Sequence, residues 1–228
     1  MALTQVVLQD RNSVTGIKVC GITREQDLRV VGRLGVQAIG IVFTKSPRQV
    51  LMGTARELVT SAKRLHIKPP EVWGVFANEP VDMIKEYVEF LGLDAVQLHG
   101  AYYTSKDIKA FKKVKVVRGL NFSGLTQLSE IQTAFDAGAS LVLLDAPAPT
   151  SGRPCGGTGR TVDWNAAGEI AASFPTVLSG GLNYRNVAQA IKIVRPAMVD
   201  VSSGVEMAPG VKDAGLIECF VQVVNRVG

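Results

Sequence analysis

The chain has 228 residues, 46% hydrophobic and 20% charged, which excludes intrinsic disorder and allows a sizeable core without metal or disulfide support. Its 25 Lys and Arg against 20 Asp and Glu leave a formal charge of +5, which suits an anionic ligand and is too mild to argue for nucleic acid. No stretch approaches the about 20 apolar residues of a membrane span.

Residues 1–16 read as an N-terminal extension. The stretch before Val14 is not a secretory signal, because its apolar run is short and Asp10 and Arg11 follow it instead of preceding it. Ile17–Cys20 is then the first short apolar run, followed by a helical pattern over Thr23–Leu34 with Thr23 as N-cap and Gly35 as its end. Ala38–Phe43 precedes a helix over Thr54–Leu65. Val72–Phe76 precedes Val81–Leu91, which Gly92 closes. Ala95–Leu98 leads to a weak helix over Thr104–Phe111. Val114–Val117 leads to Leu125–Ala137, closed by Gly138. Leu141–Asp145 is followed, after a long connection, by Trp164–Ser173 with Asp163 as cap. Thr176–Leu178 precedes Tyr184–Val194, capped by Asn183 and stopped by Pro196. Met198–Val201 and a helix over Lys212–Arg226 finish the chain.

Most of these apolar runs are nearly continuous in Val, Ile and Leu, as in parallel strands buried on both faces. Strand–helix units in unbroken series predict a single (β/α)₈ barrel over residues 17–228. An open doubly wound sheet is the competitor, but Cys20-Gly21-Ile22-Thr23-Arg24 lacks its glycine fingerprint after the first strand. The basic run Lys109, Lys112, Lys113, Lys115 and Arg118 reads as a solvated helix face and strand edge. Cys20, Cys155 and Cys219 are too few and too widely spaced for a disulfide framework or a CxxC site, which fits a cytoplasmic protein.

Barrel chemistry sits at the C-terminal ends of the strands. There the sequence delivers Cys20, Arg48, Gln97, His99, Asp145, Gly180-Gly181 and Asp200-Val201-Ser202-Ser203-Gly204. Glycines after strands seven and eight let backbone N–H groups approach a phosphate, and Gly204–Met207 is a candidate for the short extra helix of such sites. Ordinary turn chemistry explains one such loop, but less easily two on these strands. The Gly-rich segment around Gly157, Thr158 and Gly159, flanked by Arg153 and Arg160, reads as a flap over the ligand.

Cys20 and Asp145 could act as general base and general acid across one substrate. Such a cysteine needs its pKa lowered by nearby cations, and such an aspartate needs its pKa raised by desolvation. Their bland readings are a small buried hydrophobe and a loop anchor. Arg48 suits a carboxylate or an aromatic face, or is a surface arginine. His99 is more ordinarily a structural hydrogen-bonding group.

Six motifs in order carry a family resemblance. They are Ile17-Lys18-Val19-Cys20-Gly21-Ile22-Thr23-Arg24, Ser46-Pro47-Arg48, Val96-Gln97-Leu98-His99-Gly100, Gly156-Gly157-Thr158-Gly159, Ser179-Gly180-Gly181-Leu182 and Val199-Asp200-Val201-Ser202-Ser203-Gly204-Val205-Glu206. Over residues 17–226 the chain resembles the phosphoribosylanthranilate isomerases of tryptophan biosynthesis. The resemblance implies a barrel without cofactor or metal and an Amadori rearrangement of N-(5′-phosphoribosyl)anthranilate. It gives Cys20 the general-base role, Asp145 the general-acid role and Arg48 the anthranilate contact. It places Gly180, Gly181 and Ser202 on the phosphate and the Gly157–Gly159 loop over the site. Gln97, His99, Asp200 and Ser203 join the substrate-binding set through their motifs. The expected partner is the small phosphosugar–anthranilate substrate, with neither nucleic acid nor membrane, for a monomer or homodimer.

Ser179 and Tyr184 depart from the family's usual Ala and Pro, and Cys155 is expected to be an exposed thiol. A histidine-pathway sugar isomerase would show Asp where Cys20 stands, and indoleglycerol-phosphate synthase would need catalytic Lys and Glu at strand ends. A non-catalytic phosphosugar-binding barrel would not need Cys20 and Asp145.

Overall fold

The computed structural model describes residues 14–65, 68–146 and 161–228. Residues 1–13, Cys155 and the predicted flap with Gly157, Thr158 and Gly159 lie outside the described residues. The chain lays down β1 (Gly16–Cys20), α1 (Glu25–Arg33), β2 (Ala38–Val42), α2 (Met52–Lys63), β3 (Glu71–Phe76) and α3 (Val81–Leu91). It continues through β4 (Ala95–His99), α4 (Ser105–Lys109), β5 (Lys115–Asn121), α5 (Leu128–Asp136), β6 (Leu141–Asp145) and α6 (Trp164–Ala171). β7 (Thr176–Leu178), α7 (Val187–Val194), β8 (Met198–Val201), the hairpin β9 (Glu206–Ala208) and β10 (Val211–Lys212), and α8 (Ala214–Val227) complete it.

Strands β1 to β8 pair in sequence order and close into one barrel, with β8 parallel to β1 in the register Lys18↔Asp200 and Val19↔Val201. The predicted (β/α)₈ fold is therefore the observed one, and the open sheet is excluded.

Strand alternation divides the apolar residues between two cores. Ile17, Val19, Ile39, Ile41, Val96 and Leu98 belong to the layer between strands and helices, which also takes Ile217, Phe220 and Val224 from α8. Ala38, Trp73, Ala95, Val117, Leu143 and Val177 form a separate plug of inward residues. Below it, Glu71 bonds the Trp73 indole at 3.0 Å and pairs with Lys115. Toward the other end the interior turns polar: Lys18, Gln97 and Asp200 are buried near Cys20, Val42 and Val75. Apolar filling thus thins toward the C-terminal rim, where Cys20, Val42 and Val75 form a small cluster.

Several local expectations change. Thr23 does not cap α1: its hydroxyl donates to Gly210 O at 2.5 Å, and α1 starts after Arg24. Asn183 does not cap α7 either. Its side chain accepts from Arg185 N in the preceding turn, and the helix opens after Asn186. Of the short helix expected over Gly204–Met207, only Gly204 and Val205 are helical, while Glu206 and Met207 are strand. A 3₁₀ turn over Ser203–Val205 passes straight into β9, because Lys212 and Gly210 N reach back to the Glu206 carboxylate and fold the segment into a hairpin. Lys212 is accordingly in β10 and not in α8, which Asp213 caps.

β5 runs on to Asn121, past the charged and glycine residues that ended the apolar run. Arg118 is not solvated. It faces outward under α4 and α5, 3% exposed, and pairs with Glu130 at 2.9 Å. β1 opens at Gly16, and Thr15 is buried with its hydroxyl toward Pro196 O.

Candidate active site

The C-terminal ends of the strands bring the site together. On β1, residues two apart face the interior, so Lys18 and Cys20 point the same way. Cys20 is 8% exposed and pairs in register with Gly40 of β2. A Cβ on Gly40 would lie 2.6 Å from the Cys20 Sγ, so only glycine leaves the thiol its place. Below Cys20, Lys18 Nζ sits 3.0 Å from Asp200 Oδ1 and 5.4 Å from the centre of a Trp73 ring. Ser179 Oγ reaches the other Asp200 oxygen at 3.4 Å.

Cations do lie near the Cys20 thiol, but burial outweighs them. Burial pushes its pKa up, and the pull of Lys18 and Lys212 toward thiolate, opposed by Asp200, does not reverse that. Lys18 itself is held charged: burial works against its ammonium, but Asp200 and Cys20 outweigh it and raise its pKa.

Asp145 ends β6, with Oδ1 accepting from Ala146 N at 2.8 Å. Its pKa is raised, as a general acid requires. The surrounding protein is the main cause, His99 and Ala146 N oppose it, and Asp200 adds to it. His99 Nε2 stands 4.0 Å from Asp145 Oδ2 and 3.3 Å from Asn121 Oδ1. Gly119 makes room for that ring, since a Cβ there would fall 2.5 Å from His99 Nδ1. Gln97, one inward position below His99, is 4% exposed, and its Oε1 has no partner among the described residues.

Between these groups lie the two glycine loops. Gly180 and Gly181 have φ of 83° and 62°, both left-handed. A Cβ on Gly180 would meet Ala146 N at 2.6 Å, so this loop packs against the backbone just after Asp145. A Cβ on Gly204 would fall 2.0 Å from Leu182 O, so the loops after β7 and β8 interlock. Among the described residues the N–H groups of Gly181 and Ser203 donate no hydrogen bond, which leaves them available to an anion.

Arg48 comes from the loop after β2. Its stem crosses Gly21, whose Cβ would lie 2.6 Å from Arg48 Cδ and 3.3 Å from Ser202 Oγ. It is not a surface arginine: Nε and Nη2 hold Glu206 at 2.8 and 2.6 Å. Glu206 is ionised below the usual carboxylate range, because Arg48 and Lys212 outweigh the opposing effect of burial.

Cys20, Arg48, Gln97, His99, Asp145, Gly180, Gly181, Asp200, Ser202 and Ser203 therefore gather at one end of the barrel, while Gly157, Thr158 and Gly159 are outside the described residues. Sequence reasoning missed Lys18, Asn121, Glu206 and Lys212. Lys18 had a usable signal, a charge two residues before Cys20 in a buried strand. A separate polar cleft of about 300 Å³ lies outside the barrel between α4 and α5, where Arg118 is already held by Leu98 O, Gly119 O and Glu130.

Comparison with known proteins agrees with this architecture. The family model described as N-(5′phosphoribosyl)anthranilate (PRA) isomerase matches residues 17–223. An N-(5′-phosphoribosyl)anthranilate isomerase of Chlorobaculum parvum is 36% identical over 220 residues, covering 94% of this chain and 96% of its own. That of Pelobacter propionicus is 39% identical over 213 residues, covering 92% and 95%. The crystal structure of phosphoribosyl anthranilate isomerase from Thermotoga maritima superposes with a TM-score of 0.82 at 32% identity, over 93% of this chain and 99% of that one. Another isomerase, in complex with reduced 1-(o-carboxyphenylamino)-1-deoxyribulose 5-phosphate, has a TM-score of 0.78 at 30% identity over 93% of this chain and 99% of that one. The chain belongs to the N-(5′-phosphoribosyl)anthranilate isomerase family.

Proposed function

We propose that the barrel carries out the family's isomerisation, N-(5′-phosphoribosyl)anthranilate to 1-(2-carboxyphenylamino)-1-deoxyribulose 5-phosphate, with Asp145 as general acid and Cys20 as general base. The carrying observation is that both groups end inward-facing strands on different sides of one rim, with interlocked glycine loops between them. Asp145, whose pKa is raised by its surroundings, donates its proton to the ribose ring oxygen, and the C1–O bond opens to a Schiff base. The Cys20 thiolate then takes the proton from C2, and the electron pair moves to give an enolamine. Tautomerisation of the enolamine yields the ketone, so the reaction needs no external oxidant or reductant.

The N–H groups of Gly181 and Ser203 suit the phosphate. The Gln97 Oε1 offers an acceptor to a sugar hydroxyl, and Arg48 suits the anthranilate carboxylate. Asp200 serves the site through Lys18, and Gly157, Thr158 and Gly159 complete the substrate set as a covering loop. The same reading takes the phosphosugar–anthranilate conjugate as the small-molecule partner of a cytoplasmic monomer or homodimer, without nucleic acid or membrane. The mild charge supports it, and no helix among the described residues is long and apolar enough to cross a membrane.

Freshly prepared phosphoribosylanthranilate, followed by loss of its fluorescence, tests the assignment. Wild-type protein is expected to turn it over, whereas folded Cys20→Ala and Asp145→Asn are expected to lose at least about 1,000-fold in kcat, a cost in keeping with removing an acid–base group. Near-normal turnover by either variant would overturn its role.

A further inference from the structure

The hairpin β9–β10 carries a buried charge cluster that the acid–base chemistry does not use. Glu206 is its centre, with a side chain only 4% exposed, and it takes four donors. Arg48 supplies two of them in a fork, through Nε at 2.8 Å and Nη2 at 2.6 Å. Lys212 Nζ supplies the third at 2.8 Å, and Gly210 N the fourth at 3.2 Å. Lys212 is wholly buried and spends its remaining donors on Ser202, at 3.1 Å to the carbonyl and 3.4 Å to the hydroxyl. One continuous chain of charge-assisted bonds therefore runs from the loop after β8, through Lys212 and Glu206, to Arg48.

The arrangement is costly unless it is used. Three ionic side chains are withdrawn from water, with two cations, Arg48 and Lys212, sharing the single Glu206 carboxylate and leaving a net charge of +1. An arginine free to wander could serve a flat aromatic acid only after losing its rotamer freedom on binding. The fork removes that freedom beforehand. It uses the Nε–Nη2 edge of the guanidinium, while Nη1 donates no hydrogen bond among the described residues. Gly21, with φ of 77° and no Cβ, is what lets the Arg48 stem lie across the rim next to Cys20 and Ser202.

We propose that Glu206, braced by Lys212, is a positioning residue that holds Arg48 for the ortho-carboxylate of the aromatic amine and so sets the preference for anthranilate over an amine without that carboxylate. The inference rests on the reading of Arg48 as the carboxylate contact. Because Lys212 also grips Ser202, the phosphate loop and the carboxylate contact are held in a single register. The substrate is thereby measured by the distance between its two anionic ends.

The test compares two glycosylamines of ribose 5-phosphate, one made with anthranilate and one with aniline, as substrates for wild type, Glu206→Gln, Glu206→Asp and Arg48→Ala. Glu206→Gln is expected to raise KM for the anthranilate compound tenfold or more, with kcat within threefold, and to leave KM for the aniline compound within threefold. The kcat/KM preference then falls at least tenfold. Glu206→Asp keeps the charge that Lys212 and Arg48 require but draws the carboxylate back by one methylene. It remains informative if Glu206→Gln does not fold, and its preference is expected to fall at least threefold. An unchanged preference in a folded Glu206 variant, or equal losses on both compounds, overturns the proposal. Arg48→Ala separates the two readings. If it keeps the wild-type preference, the Arg48 assignment itself fails. If it loses the preference while the Glu206 variants keep it, only the positioning role fails.

Discussion

Lys18 and Asp200 face each other across the β1–β8 seam that closes the barrel, with Nζ and Oδ1 3.0 Å apart and both side chains out of solvent. The pair is at once a structural closure and the electrostatic floor beneath Cys20. Removing one partner strands a charge inside the barrel. Lys18→Met is therefore expected to destabilise the protein by about 3–5 kcal/mol in a denaturant titration, and Lys18→Met with Asp200→Leu to recover most of that loss. A single variant as stable as wild type would show that the pair does not hold the seam.

The fold was largely legible in the sequence because parallel strands covered on both faces announce themselves as short apolar runs. The rim was legible where a motif placed a reactive group at the end of such a run, as with Cys20 and Asp145. It was illegible where pairing depends on closure. Nothing local in Lys18 says that residue 200 will be its partner, since β1 and β8 meet only when the barrel closes. Glu206 and Lys212 were hidden for a different reason. A short segment between two glycines reads equally well as a helical turn, and the hairpin appears only once Lys212 folds back on Glu206. Asn121 was lost because Arg118 and Gly119 interrupt the apolar run of β5. One of them faces the helices in an ion pair, and the other makes space for His99.

Gly40 fixes the place of the Cys20 thiol, the proposed base. A methyl group there would stand 2.6 Å from the Cys20 Sγ and 3.2 Å from its Cα, so the thiol must turn or β1 must shift. Gly40→Ala is expected to cost about 1–3 kcal/mol of stability through overpacking. It should lower kcat about 100-fold through misplacement of the thiol. Steady-state kinetics beside thermal melts check this. Full activity in Gly40→Ala would mean that the thiol has freedom to move and that its position is not critical.

The pH dependence follows from the two shifts. Both Asp145 and Cys20 are raised, chiefly by burial, so Asp145 loses its proton above the ordinary carboxylate value and Cys20 above the ordinary thiol value. With Asp145 as the proposed acid and Cys20 as the proposed base, the competent form carries one proton, on Asp145, while Cys20 is thiolate. A second form with the same proton count has the proton on sulfur instead. Their ratio does not change with pH, so kcat/KM is expected to be flat between the two ionisations. It should fall on the acid side when Asp145 and Cys20 are both protonated, and on the alkaline side when both are bare. In a Cys155→Ser, Cys219→Ser background, iodoacetamide should react slowly with Cys20 at pH about 7 and faster only above the usual thiol pKa of about 8.5. Rapid alkylation at neutral pH would contradict the raised thiol.

Gln97 pits stability against binding. Its Oε1 is buried without a partner among the described residues, and such an atom costs about 1–3 kcal/mol relative to a satisfied one. The protein tolerates that penalty at the inward position directly below His99, where a substrate hydroxyl would meet it. Gln97→Met keeps nearly the same length and removes the stranded acceptor. The variant is expected to be as stable as wild type or more stable by about 1 kcal/mol. A neutral hydrogen bond contributes about 0.5–1.5 kcal/mol, so KM should rise by about two- to tenfold. Opposite signs in the melt and in KM are the diagnostic result. A Gln97→Met protein that loses stability while KM stays unchanged would make Gln97 a packing residue, and its acceptor would have no part in holding the sugar.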